Sequence, residues 1–232
     1  MRSPEEPKED LAPSDLTGWN SEGSDSPREA RKARTRSDLR RAAQNLFAER
    51  GFDTVTVAEV SAAAGMSVQT IFNHFASKEE LFFDGRTAWV DGPAEAVRVR
   101  HPAATPLSAL RDHLVGALQE RVHFEASPEG QAYIAAVTES PALGAHERKL
   151  LYEAEGRLEE ALADAWAAPT DATLSVGDSG PGAALTAAMW LAAVRALVVF
   201  QRTSAGRGED KAAEVAALAD RMLRNLDACL LR

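Results

Sequence analysis

Gln69, Thr70, Asn73 and His74 fall on one side of a short helical repeat, and Ile71 and Phe75 fall on the other. Side-chain amides, a hydroxyl and an imidazole are donors and acceptors without fixed charge. On a helix whose other face is fixed in a core, such amides and hydroxyls can reach base edges. That chemistry is recognition, and the chain offers little for bond making or breaking. His101, His113, His123 and His146 lack the spacing of metal ligands, and Cys229 has no neighbouring histidine. Gly177-Asp-Ser-Gly-Pro-Gly182 is glycine-rich but lacks the Lys-Ser/Thr of a phosphate loop. The expectation is a protein that is not an enzyme and needs no cofactor or metal.

The recognition residues need elements to hold them. Leu39, Ala42, Ala43, Leu46 and Phe47 mark one apolar stripe of a helix over about 35–50, closed by Gly51. Thr56-Val-Ala-Glu59 is a capping-box sequence that opens a second helix through about Ala64. Gly65 permits a tight turn, and Ser67 is a good N-cap for a third helix, Val68 to Phe75. Ser77-Lys-Glu-Glu80 is a second capping box, opening a fourth helix that fades near Asp91-Gly-Pro93. Two short helices joined by a glycine turn have the spacing of a helix-turn-helix, a pattern also found in helical proteins that touch no nucleic acid.

Charge is distributed unevenly. The net charge is −9, yet residues 28–50 carry eight cations against three anions. Such a segment is either an anion-binding face or a solvated helix surface. Residues 1–27 are acidic and rich in Pro and Ser, which predicts a disordered tail. The N-terminus has no apolar segment of the signal-peptide kind, so a cytoplasmic protein is expected. The apolar stretch from Ala183 to Phe200 is broken by Thr186 and Arg195 and reads as a core helix, not a membrane span. Beyond residue 83 helical periodicity predicts segments near 106–125, 128–139, 142–167, 181–203 and 209–231, with a long loop over 168–180. No strand pattern competes, and the fold class is all-α: an N-terminal three-helix DNA-binding domain with a helix-turn-helix over 28–82, then a larger helical domain over 83–232.

The run Thr54 to Leu81, with Leu39 to Phe52 before it, resembles the DNA-binding domain of the TetR family of repressors. The resemblance covers about 50 residues. It implies phosphate contacts from Thr54, Thr56 and Lys78, and base contacts from Val68, Gln69 and Thr70. Asn73 and His74 share that face, Ser67 caps it, and Arg31, Lys32, Arg34 and Arg36 form a basic arm. The family often has Tyr where this chain has Phe72, and Pro where it has Ala76; Phe72 becomes a stacking or packing residue.

For the larger domain the resemblance implies a homodimer formed by the last two helices. Leu185, Met189, Ala192, Ala196 and Val199 would face the partner from one, and Leu218, Met222 and Leu226 from the other. It also implies an apolar pocket for a small hydrophobic or aromatic effector, lined by Trp89, Phe124, Tyr133, Val137, Trp166 and Trp190. Arg195 is a candidate partner for an acidic ligand or for a carboxylate such as Glu139. The expected function is a ligand-released repressor on a palindromic double-stranded operator. The alternative is a small-molecule-binding or interaction module whose DNA-binding motif is vestigial.

Overall fold

The computed structural model describes residues 27–167, 179–203 and 209–230, and all of its described elements are helices. The tail expected over 1–27 (save Pro27) and most of the loop expected over 168–180 lie outside the described residues, as does the side chain of Cys229. Contacts divide the chain into two compact units, Met1–Ser37 and Asp38–Arg232. The described part of the first is the exposed, arginine-rich start of α1 (Pro27–Arg50). That helix begins earlier than the stripe at Leu39 suggested, because Pro27 suits a first turn and Ala, Arg and Lys favour helix.

In the second unit come α2 (Val57–Ala63), α3 (Val68–Phe72), α4 (Lys78–Phe83) and α5 (Ala88–Arg98). Two expectations fail here. Helix α3 stops at Phe72, with Asn73 as its C-cap, rather than running to Phe75. The fourth helix does not run on to residue 91: it ends at Phe83, and a new helix starts after it. Gly85, at φ +75°, turns the chain between them. Pro93 then lies inside α5, where it cannot donate to the carbonyl of Trp89. A proline read as a terminator is here a buried residue within a helix.

The longer helices are α6 (Pro106–Ala126), α7 (Pro128–Glu139), α8 (Pro141–Ala167), α9 (Ser179–Thr203) and α10 (Glu209–Leu230). Thr105 and Ser127 cap α6 and α7 ahead of a first-turn proline. Helix α5 packs on α6 and α8, α8 on α9, and α10 on α6 and α9. One apolar cluster joins Leu39, Phe47, Phe52, Ile71, Phe75 and Phe82 to Tyr133, Leu143 and Leu150. A second surrounds Trp190, Leu158 and Leu110, and a third joins Leu118 and Val122 to Leu197 and Val215.

Candidate nucleic-acid interface and cavity

The helix-turn-helix is built from backbone groups satisfied in sequence. The Thr56 side chain accepts from the Glu59 amide (3.2 Å), and a Glu59 carboxylate oxygen accepts from the Thr56 amide (2.8 Å). That closes a capping box at the start of α2. At the other end the Met66 amide bonds the Ser61 carbonyl and Gly65 bonds Ala62, with Gly65 at φ +64°. This pair of bonds is the Schellman stop, and it needs a left-handed residue where glycine stands. Ser67 then caps α3, its hydroxyl accepting from the Thr70 amide (3.1 Å). Ser77 caps α4 in the same way, but Glu80 reaches the amide of Ala76 (2.7 Å) and not that of Ser77, so the second expected capping box is not formed.

These caps orient α3. Ile71 and Phe75 are each 1% exposed and anchor it in the core. Val68 is 38% and Phe72 50% exposed, and Gln69 and Asn73 are also at the surface, bonded to each other at 3.1 Å. Thr70 and His74 are half-buried at the edge of that face. The hydroxyl of Thr54 donates to the carbonyls of Arg50 (2.5 Å) and Gly51 (3.1 Å), closing the turn after α1. Lys78 is the residue whose placement differs most from a free surface cation. Its ammonium donates to the carbonyls of Phe52 (2.9 Å) and Val55 (3.0 Å) and sits 4.1 Å over the Phe52 ring. An ammonium has three protons, so one remains for a phosphate. Arg34 and Arg36 lie on the first unit's stretch of α1.

Arg50 binds the second oxygen of Glu59 (2.7 Å). The bond from the Thr56 backbone, then that from its hydroxyl, then Arg50, hold the Glu59 carboxyl down at about 2.

A half-open cavity of about 490 Å³ lies between α5, α6, α7, α8 and α9. Of the six residues expected to line it, Trp89 and Val137 do so. Phe124, Tyr133, Trp166 and Trp190 do not. Trp190 is fully buried in the second apolar cluster and Trp166 packs against that cluster. Tyr133 stacks on Phe82 at 5.7 Å and meets Phe124 edge-on, within the cluster shared with α4. Aromatic type marked these residues, but the direction each faces is set by packing between distant helices.

Sequence reasoning missed most of the polar wall. His113, Arg121, Glu147, Arg148 and Arg202 line the cavity together with Arg195. No ion pair links Arg195 to Glu139 or to any other described residue. Glu125, 2% exposed, accepts from Arg121 (2.5 Å) on α6 and from Arg202 (2.6 Å) on α9. Burial raises the Tyr133 hydroxyl to about 12, with the nearby Glu147 carboxylate adding to it. Burial also lowers His113, against a smaller opposing pull from Glu120. The one available signal was an arginine interrupting an apolar run, as Arg195 does.

All eight expected interface residues on α9 and α10 keep some exposure in the single chain, with Leu185 at 56%, Val199 at 51% and Met222 at 37%. Gly180–Arg202 is also long and apolar enough by composition to cross a membrane, with 28% of that window buried.

Residues 39–84 match the family described as bacterial regulatory proteins, tetR family. Over 83 residues the chain is 35% identical to the HTH-type transcriptional regulator TcmR of Streptomyces glaucescens, a match spanning 36% of this chain but only 37% of that protein. Among solved structures it is similar to NalD, the secondary repressor of the MexAB-OprM multidrug efflux pump in Pseudomonas aeruginosa. That likeness has a TM-score of 0.55 at 18% identity, covering 82% of this chain and 96% of the other. It is also similar to SmeT, the repressor of the Stenotrophomonas maltophilia multidrug efflux pump SmeDEF, in complex with triclosan. There the TM-score is 0.54 at 18% identity, with 82% and 90% covered. Likenesses at this identity establish the shared helical fold.

Proposed function

We propose that the chain is a regulator of the TetR family, whose model residues 39–84 match, and that it works as a cytoplasmic, dimeric repressor released from its operator by a small effector. The observation that carries this is the division of α3: Ile71 and Phe75 are sealed in the core while Val68, Gln69, Phe72 and Asn73 face outward. A helix fixed on one face, with amides and apolar surface open on the other, suits readout of base edges and thymine methyls in a major groove. Thr56, Lys78 and the α2 N-terminus would hold phosphate, and the cations of residues 28–36 would add charge-dependent affinity.

One such helix binds weakly, and two set about 34 Å apart read a palindrome. The uncovered apolar face of α9 and α10 supports pairing with a second copy, which would bury Leu185, Val199 and Met222. A second copy also accounts for the apolar length of Gly180–Arg202 without a bilayer. The cavity between α5 and α9 would take the effector. A ligand that fits one spacing of the two readers better than another shifts the balance between them by its differential affinity.

The test is a footprint of the full chain on DNA flanking its own gene, followed by random-site selection, at two salt concentrations. A protected palindrome whose affinity falls with salt is expected. Failure to enrich any site would overturn the reading and leave the larger domain as an interaction module.

A further inference from the structure

We propose that the cavity selects an organic anion, an apolar flat or elongated body carrying a carboxylate, sulfonate or phenolate. The proposal rests on the effector reading above and adds the chemical class of the ligand. Much of the wall is aliphatic, with Leu114, Leu118, Leu151, Leu191, Val194 and Val198 among its residues. That surface would accept many apolar molecules, and its charged groups are what discriminate among them.

Four arginines line the cavity, Arg121, Arg148, Arg195 and Arg202, and of these Arg148 and Arg195 also keep exposure to solvent at its open side. Two of them are committed, because Arg121 and Arg202 both bind the buried carboxylate of Glu125. Arg148 and Arg195 form no ion pair or hydrogen bond with any described residue. The one carboxylate on the wall, Glu147, accepts from the Tyr133 hydroxyl at 3.4 Å. A cation would therefore meet more repulsion than attraction, while an anion would find two planar forks shaped for a bidentate oxygen pair.

One further group lacks an acceptor. The indole N–H of Trp89 is buried and has no hydrogen-bond partner among the described residues. An indole nitrogen can only donate, so it is satisfied by an acceptor. His113 adds no such preference: burial favours its neutral ring, and its Nε2 lies against Gly92, where a Cβ would come within 2.6 Å of it.

The test uses the full chain and two fluorescent probes with the same ring system. One is the anion 8-anilinonaphthalene-1-sulfonate, and the other is the uncharged N-phenyl-1-naphthylamine. The anion is expected to bind about tenfold tighter or more, the scale of one charge-assisted hydrogen bond. Arg148→Gln with Arg195→Gln should remove that advantage and leave the neutral probe within about twofold. Circular dichroism checks that the variant folds, and the single substitutions supply the same readout if the pair does not. Equal or tighter binding of the neutral probe, or equal weakening of both by the substitutions, would overturn the proposal. Operator release separates the two readings. If the neutral probe releases DNA and the anion does not, the effector reading stands and the anion is wrong. If neither probe binds, both fall.

Discussion

Arg50, Thr56 and Glu59 form a knot in which a single carboxylate accepts from a backbone amide, a hydroxyl and a guanidinium. Protonating Glu59 breaks the knot, and its carboxyl sits at about 2 against an ordinary 4.5. A depressed carboxyl stabilises the fold fully above pH 4.5 and loses that contribution as pH falls from 4.5 toward 2. Glu59→Gln should therefore flatten the acid limb of the stability curve in that window. An unchanged limb, followed by circular dichroism, would show the knot to be irrelevant; surface screening keeps the effect small in either case. The outward residues of α3 carry a separate expectation. Gln69→Ala with Thr70→Ala should reduce discrimination between operator and random DNA by roughly 1–3 kcal/mol for each lost base contact. Lys78→Ala should weaken binding to both kinds of DNA alike. If all three substitutions act equally on every sequence, the assignment of base-reading residues is wrong.

At the level of elements, the three caps at Thr56, Ser67 and Ser77 were legible because each motif lies within four residues of chain. The break at Gly85 was not, since Phe83, Trp89 and Val90 continue an apolar rhythm across it and Pro93 offered a more obvious stop. What sets the break is three-dimensional: Gly85 has positive φ, and the Arg40 guanidinium occupies the place a Cβ would take, at 2.6 Å. Gly85→Ala should cost about 1–2 kcal/mol from the backbone conformation alone. An unchanged Tm in thermal denaturation would contradict this. The α9–α10 face makes a second prediction at this scale. Leu185→Glu with Met222→Glu, both exposed in the single chain, should turn a dimer into a monomer of unaltered helicity. Sedimentation showing no change in mass would dismiss that face as the interface.

Across the whole molecule, local motifs stood out in the sequence and assembled ones did not. The recognition face arises from residues within one turn of each other, so periodicity exposes it. The cavity draws its charge from α6, α8 and α9, and no spacing along the chain could bring Arg121, Arg148 and Arg195 together. The aromatic residues misled for the same reason: Tyr133 is a core contact to Phe82 because α7 lies against α4, a relation only the fold supplies. That single apolar cluster also bears on how the protein can be taken apart. Phe82 and Phe83 are 3% and 1% exposed, with Tyr133 packed on both rings and His146 stacked on Phe83. A fragment ending near residue 87 would present both rings to water and should aggregate or melt far below the parent. The full chain should lose α2–α4 and the α7–α8 scaffold in one cooperative transition. Two separated melting steps would mean that α2–α4 fold alone, so that dissection is the most direct probe of whether this chain has detachable parts.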